Sequence, residues 1–196
     1  MKECSLVVQI VKFKSSDPTG ASRICECYEE HVSDAKSINK PVFLIMEMCG
    51  TSLTGKFINY HKQRRSTNVP GAREMAKQML EGFDFMNSFK TPLIHHDLKP
   101  DNVVITDDGV IKVINWVPMV LASPSNRYAR IAATPLYTPP EYSQGRCACS
   151  YAVGLMYMEM ICPSLDYNTW FHSRPRTASK ITNLVRSTCR SLSSSE

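Results

Sequence analysis

Chemistry is concentrated in the segment Leu93-Ile94-His95-His96-Asp97-Leu98-Lys99-Pro100-Asp101-Asn102, where a carboxylate, an ammonium and an amide follow one another closely. A carboxylate can orient a hydroxyl and take its proton, an ammonium can meet an anionic group, and an amide oxygen can help hold a hard cation. Such groups act only if they converge, which asks for a loop fixed at both ends by regular structure. The flanking sequence supplies that. From Arg73 to Phe89 apolar residues fall at Met75, Met79, Phe83 and Met86, with Ala76 and Leu80 beside them, the stripe of an amphipathic helix. On the other side, Val103-Val104-Ile105, a turn at Thr106-Asp107-Asp108-Gly109, and Val110 to Ile114 read as a β-hairpin.

The segment resembles the catalytic loop H-R-D-L-K-P-x-N of serine/threonine protein kinases, with the same spacing and the same position between helix and hairpin. The resemblance implies Asp97 as catalytic base, Lys99 as the contact to the transferring phosphate and Asn102 as a magnesium ligand. His96 stands where the family has arginine. The likeness extends in both directions, over roughly Leu6 to Cys162. Val8 to Phe13 resembles the fourth strand of the kinase fold, and Leu44 to Gly50 its fifth strand and hinge, with Met46 as gatekeeper. ATP is then expected to meet the backbones of Glu47 and Cys49 through its adenine, with Val104 packed beneath the ring. Thr134 to Glu141 resembles the substrate-docking segment G-T-x-x-Y-x-x-P-E, and Tyr151 to Met160 the central buried helix. The implied fold is α+β, mainly the helical C-lobe with a remnant of the N-lobe sheet. Residues 1–48 would be the partial N-lobe, 49–163 the C-lobe, and 164–196 an atypical tail or a remnant of the last kinase helices, on the faint likeness of Arg174 to Ser179 to their R-P-T-A segment.

The pattern breaks where phosphoryl transfer needs charge. The family's D-F-G, whose aspartate holds magnesium, is replaced by Asn115-Trp116-Val117. Magnesium is held by one or two carboxylates plus phosphates, so an amide at Asn115 makes a degenerate ligand. Val117 removes the glycine that lets the segment pivot. Cys149 takes the place of an aspartate that braces the catalytic loop. No glycine-rich loop or third-strand lysine is found, and the sequence begins where the helix bearing that lysine's partner glutamate would end. The reading is a catalytically impaired, protein-binding pseudokinase. Its alternatives are an active serine/threonine kinase, or fragment of one, acting on protein substrates with ATP and Mg²⁺, and an incomplete product that does not fold stably.

Composition sets the frame. Of 196 residues 43% are apolar and 21% charged, the profile of one globular domain, and the net charge of +5 is too scattered to argue for nucleic acid. The apolar run Tyr151–Cys162 contains Glu159 and is too short to span a bilayer. The start Met-Lys-Glu-Cys has no apolar leader, so the eight cysteines read as reduced thiols in the cytoplasm. Cys25-x-Cys27 and Cys147-x-Cys149 lack zinc-knuckle spacing. Strands are expected over Leu6–Phe13 and Pro41–Met48, a short helix over Leu53–Tyr60, an exposed loop from His61 through Pro70-Gly71, and a helix apolar nearly all round over Cys149–Ile161.

Overall fold

The computed structural model describes residues 16–32, 42–63, 68–90, 93–95, 97–115, 120–121, 134–139, 149–162 and 178–189. Five helices occur among them: α1 (Pro18–Ser22), α2 (Leu53–Gln63), α3 (Val69–Asn87), α4 (Cys149–Ile161) and α5 (Ala178–Thr188). The stripe of α3 buries Met79, Phe83 and Met86 against α4, whose Met156 and Met160 are fully buried. Leu80, read as part of that stripe, is exposed. The helix also starts earlier than the stripe, and Pro70-Gly71 lies in its first turn rather than in a loop. Asn68 explains the start: its side chain accepts from the Gly71 N–H at 2.7 Å, and a proline in the first turn gives up only an N–H that would lack a helical partner anyway.

Seven short strands complete the described fold: β1 (Cys27–Val32), β2 (Val42–Met46), β3 (Thr51–Ser52), β4 (Leu93–Ile94), β5 (Val103–Ile105), β6 (Ile111–Val113) and β7 (Val120–Leu121). β1 and β2 form an antiparallel ribbon, β3-β5-β6 a three-stranded sheet, and β4 pairs with β7. The hairpin read from the sequence is present, with Val103 opposite Val113 and Ile105 opposite Ile111. The strand expected over Leu6–Phe13 lies outside the described residues. Among the described residues β2 pairs with Cys27–Val32, a segment passed over because Glu29-Glu30-His31 interrupts any apolar pattern; the ribbon is half open to solvent, with Tyr28, Phe43 and Ile45 exposed. Gly50 leads into β3 at φ 84°, where a Cβ would collide with the Ile105 carbonyl. A helical C-lobe beside a small N-lobe sheet is the kinase-like α+β fold.

One buried polar contact ties helix to hairpin. Gln78 of α3 accepts from the Ile111 N–H of β6 at 2.8 Å. Gln78→Leu leaves that N–H without a partner in an apolar site, so a loss of about 1–3 kcal/mol is expected in urea unfolding, with an unchanged m-value.

The expectation of reduced thiols is corrected. Cys25 and Cys49 are disulfide-bonded (S–S 2.13 Å), as are Cys162 and Cys189 (2.00 Å). Their partners stand 24 and 27 positions apart, so no local spacing announces them; the return of the ribbon and the seating of α5 bring them together. No helix among the described residues is long and apolar enough to cross a membrane.

Candidate functional site

The loop after β4 is held first by His95. Its ring is fully buried, and because a carbonyl only accepts, Nε2 is the protonated nitrogen that donates to the Ile114 carbonyl at 3.0 Å. That bond joins the start of the loop to the residue that follows β6. A single 3-10 turn at Pro100–Asn102 then folds the loop back, with Asn102 N donating to the Lys99 carbonyl at 2.9 Å and Ile114 N to the Asn102 carbonyl at 3.0 Å.

The side chains converge as a result. Asp97 Oδ1 accepts from the Thr134 hydroxyl at 2.6 Å and from the Thr134 N–H at 3.0 Å. Lys99 Nζ lies 3.0 Å from Asp97 Oδ2 and donates to Thr134 Oγ1 at 3.2 Å. Asn102 Nδ2 donates to the Asp97 carbonyl at 2.6 Å and faces Asp97 Oδ2 at 3.4 Å, which fixes the orientation of the amide. Its Oδ1 accepts from Asn115 Nδ2 at 3.2 Å. Asn115 has φ 64°, a left-handed conformation that asparagine adopts more readily than most residues.

Burial acts to raise the pKa of Asp97, but the Thr134 hydroxyl, Lys99 and the Thr134 N–H together outweigh it and hold the carboxyl below the usual carboxylate range. A depressed folded-state pKa means stability that is present above the unfolded value and lost as pH falls through the folded one. Wild type is therefore expected to be more stable than Asp97→Asn at neutral pH. The difference in melting temperature should shrink as the pH falls through the folded-state pKa of Asp97, and a pH-independent difference would refute this account.

A second group of named residues gathers beside Ile114. Met46, Cys49 and Val104 share a small cluster with Cys25 and Ile114. The Glu47 side chain turns to Lys112, 2.7 Å away. Thr134 reaches Asp97, whereas Glu141, His96, Trp116, Val117 and Arg174 lie outside the described residues. Sequence reasoning missed His95, Lys112 and the buried pair in which the Tyr137 hydroxyl meets both Glu159 oxygens at 3.2 Å. The signal for the last was there: an acid in an otherwise apolar helix needs a partner.

The protein kinase domain family matches residues 12–191 of the sequence. The chain belongs to that family. Among its relatives, serine/threonine-protein kinase WNK8 of Arabidopsis thaliana is 27% identical over 135 residues, covering 66% of this chain and 23% of the relative. Calcium-dependent protein kinase 5 of Plasmodium falciparum is 25% identical over 168 residues, covering 82% and 27% respectively. The dual specificity mitogen-activated protein kinase kinase sek-1 of Caenorhabditis elegans is 26% identical over 137 residues, covering 66% and 40%. The chain thus spans between 23% and 40% of these relatives' lengths.

Kinases imply magnesium, and the positions expected to hold it here, Asn102 and Asn115, both carry neutral amides. A hard cation needs oxygen ligands with their lone pairs free and preferably negative. Here the Asn102 oxygen accepts from an N–H of Asn115, a neutral group where the family has a carboxylate. The Asp97 carboxylate is engaged by Thr134 and Lys99.

Proposed function

We propose that this chain is a pseudokinase-like module that binds a protein partner without transferring phosphate. The observation that carries the reading is the Asn115–Asn102 amide contact, which replaces a metal carboxylate by a hydrogen-bond donor. Charge stabilisation of phosphoryl transfer by one arginine is worth roughly 10³–10⁵ in rate, so a site that neither carries the metal carboxylate nor frees the Asn102 oxygen forfeits a term of similar scale.

The remaining assignments belong to the same proposal. Asp97 is the base and Lys99 the phosphate contact, with Thr134 as the docking-segment residue bonded to both and Glu141 as its further member. Asn102 and Asn115 are the degenerate metal positions. Met46, Glu47, Cys49 and Val104 form the nucleotide wall. What supports an active serine/threonine kinase instead is the intact Asp97–Lys99–Thr134 arrangement, since an acceptor hydroxyl approaching Asp97 would find a carboxylate already ionised and held.

A radiolabelled transfer assay with ATP, Mg²⁺ and a generic basic protein decides between them, run beside Asp97→Asn. The pseudokinase reading expects no transfer above background in either. Transfer by wild type that Asp97→Asn abolishes would overturn it in favour of the enzyme.

A further inference from the structure

Three groups that ligate metals converge at the root of the β1–β2 ribbon, apart from the Asp97 site. The sulfurs of Cys25 and Cys49 and a carboxylate oxygen of Glu47 all lie within 4.8 Å of one another. Both cysteines are buried, at 2% and 9% exposure, among Val104, Met46 and Ile114. The carboxylate is held from behind: its oxygens lie 2.7 and 2.8 Å from Lys112 Nζ, and one also accepts from the Glu26 N–H at 3.2 Å. Ligating carboxylates are supported by outer hydrogen bonds of this kind.

As a disulfide the two sulfurs are neutral and ligate poorly; as thiolates they are among the preferred ligands of zinc. We propose that the Cys25–Cys49 pair, once reduced, forms with Glu47 a site for one soft divalent cation of the zinc class, and that the disulfide is the closed form of that site. Charge does not oppose the exchange. Two thiolates and a carboxylate around a divalent ion leave one negative charge, which Lys112 cancels. In the disulfide form Glu47 and Lys112 already cancel each other, so this buried cluster is neutral in both states and neither leaves an uncompensated charge. Zinc would keep a fourth position for water.

The step balances as a two-electron reduction. A small thiol reductant gives the electrons, the Cys25–Cys49 bond breaks, and the reductant's own sulfurs end as a disulfide. The two protein thiols then lose their protons as the ion binds, and exchange with a small disulfide, which takes the two electrons and leaves as two thiolates, restores the Cys25–Cys49 bond and expels the ion. The local spacing of Cys25 and Cys27 gives no hint of this, because the ligands come from segments joined only by the ribbon.

The test uses the full chain and Co²⁺ as a visible stand-in for zinc. A phosphine reduces the protein, leaving as its oxide with an oxygen from water, and is removed before titration without air. Reduced wild type is expected to bind one equivalent with a thiolate-to-cobalt charge-transfer band. The oxidised protein and a Cys25→Ser/Cys49→Ser variant should show none, and Glu47→Gln should weaken binding at least about tenfold. Because the serine variant loses a disulfide and its fold with it could fail, zinc protection is read in wild type as well: Cys25 and Cys49 should resist alkylation by iodoacetamide, as mapped by peptide mass. No band in reduced, folded wild type, a band undiminished in the double variant, or zinc protection of other cysteines alone would each overturn the site. These readouts involve metal and thiols only, so they do not depend on whether the kinase-like cleft takes nucleotide.

Discussion

Asn115→Asp is expected to make the protein respond to Mg²⁺ and ATP together where wild type does not. The substitution exchanges the donor facing Asn102 Oδ1 for a second acceptor, and two oxygens at the 3.2 Å now spanned by a hydrogen bond repel unless a cation lies between them. Aspartate tolerates the φ of 64° as well as asparagine does, so the backbone has no reason to move. In chelator the variant should lose about 0.5–1.5 kcal/mol, the net worth of one hydrogen bond. With Mg²⁺ and ATP near one hundred times their dissociation constant it should gain about 2.7 kcal/mol. For a chain of this size that is a rise in melting temperature of roughly 5–10 °C. Absence of any shift in the variant would mean that the cleft lacks more than a metal carboxylate.

Cys162→Ser should produce the largest loss of stability. The Cys162–Cys189 bond closes a loop of 27 positions, and removing a constraint of that length from the unfolded chain costs about 3–4 kcal/mol in the chain-entropy account. Calorimetry should show the melting temperature fall by roughly 6–15 °C. The bond holds α5 against the end of α4, where Ile181 and Leu184 are only partly buried. Hydrogen exchange should therefore speed up first in α5. A reducing agent should lower the melting temperature of wild type further than that of the variant, since only wild type has the Cys162–Cys189 bond to lose; equal shifts would show that Cys162 and Cys189 are not bonded in solution.

What was legible in the sequence was whatever periodicity or short spacing encodes. The α3 stripe, the hairpin and α4 follow from apolar period and turn chemistry, and Asp97, Lys99 and Asn102 meet because they share one tight turn. Contacts between distant segments were not legible. Thr134 reaches Asp97 across 37 positions, and only the family resemblance marked it as part of the site. The loss of a carboxylate at Asn115 could be read from its type, but that its amide would donate to Asn102 depends on the left-handed backbone there. β1 escaped because Glu29-Glu30-His31 interrupts any apolar pattern there. β3 is too short, at Thr51–Ser52, to carry any pattern. Both described disulfides join positions that only the finished fold brings near.

The way β1 leaves the helical body bears on how the molecule can flex. Val113 N donates to the Arg23 carbonyl at 2.8 Å, and Cys25 N donates to the Val113 carbonyl at 3.1 Å, so the chain ahead of β1 is laced to the hairpin on both sides of Ile24. Arg23 is also gripped by Glu81 of α3 at 3.0 Å. The far end of the ribbon returns through Glu47, bound to Lys112, and Cys49, bound to Cys25. Mechanically the ribbon is a strap riveted at both ends, and any swing about its base must shear several joints at once.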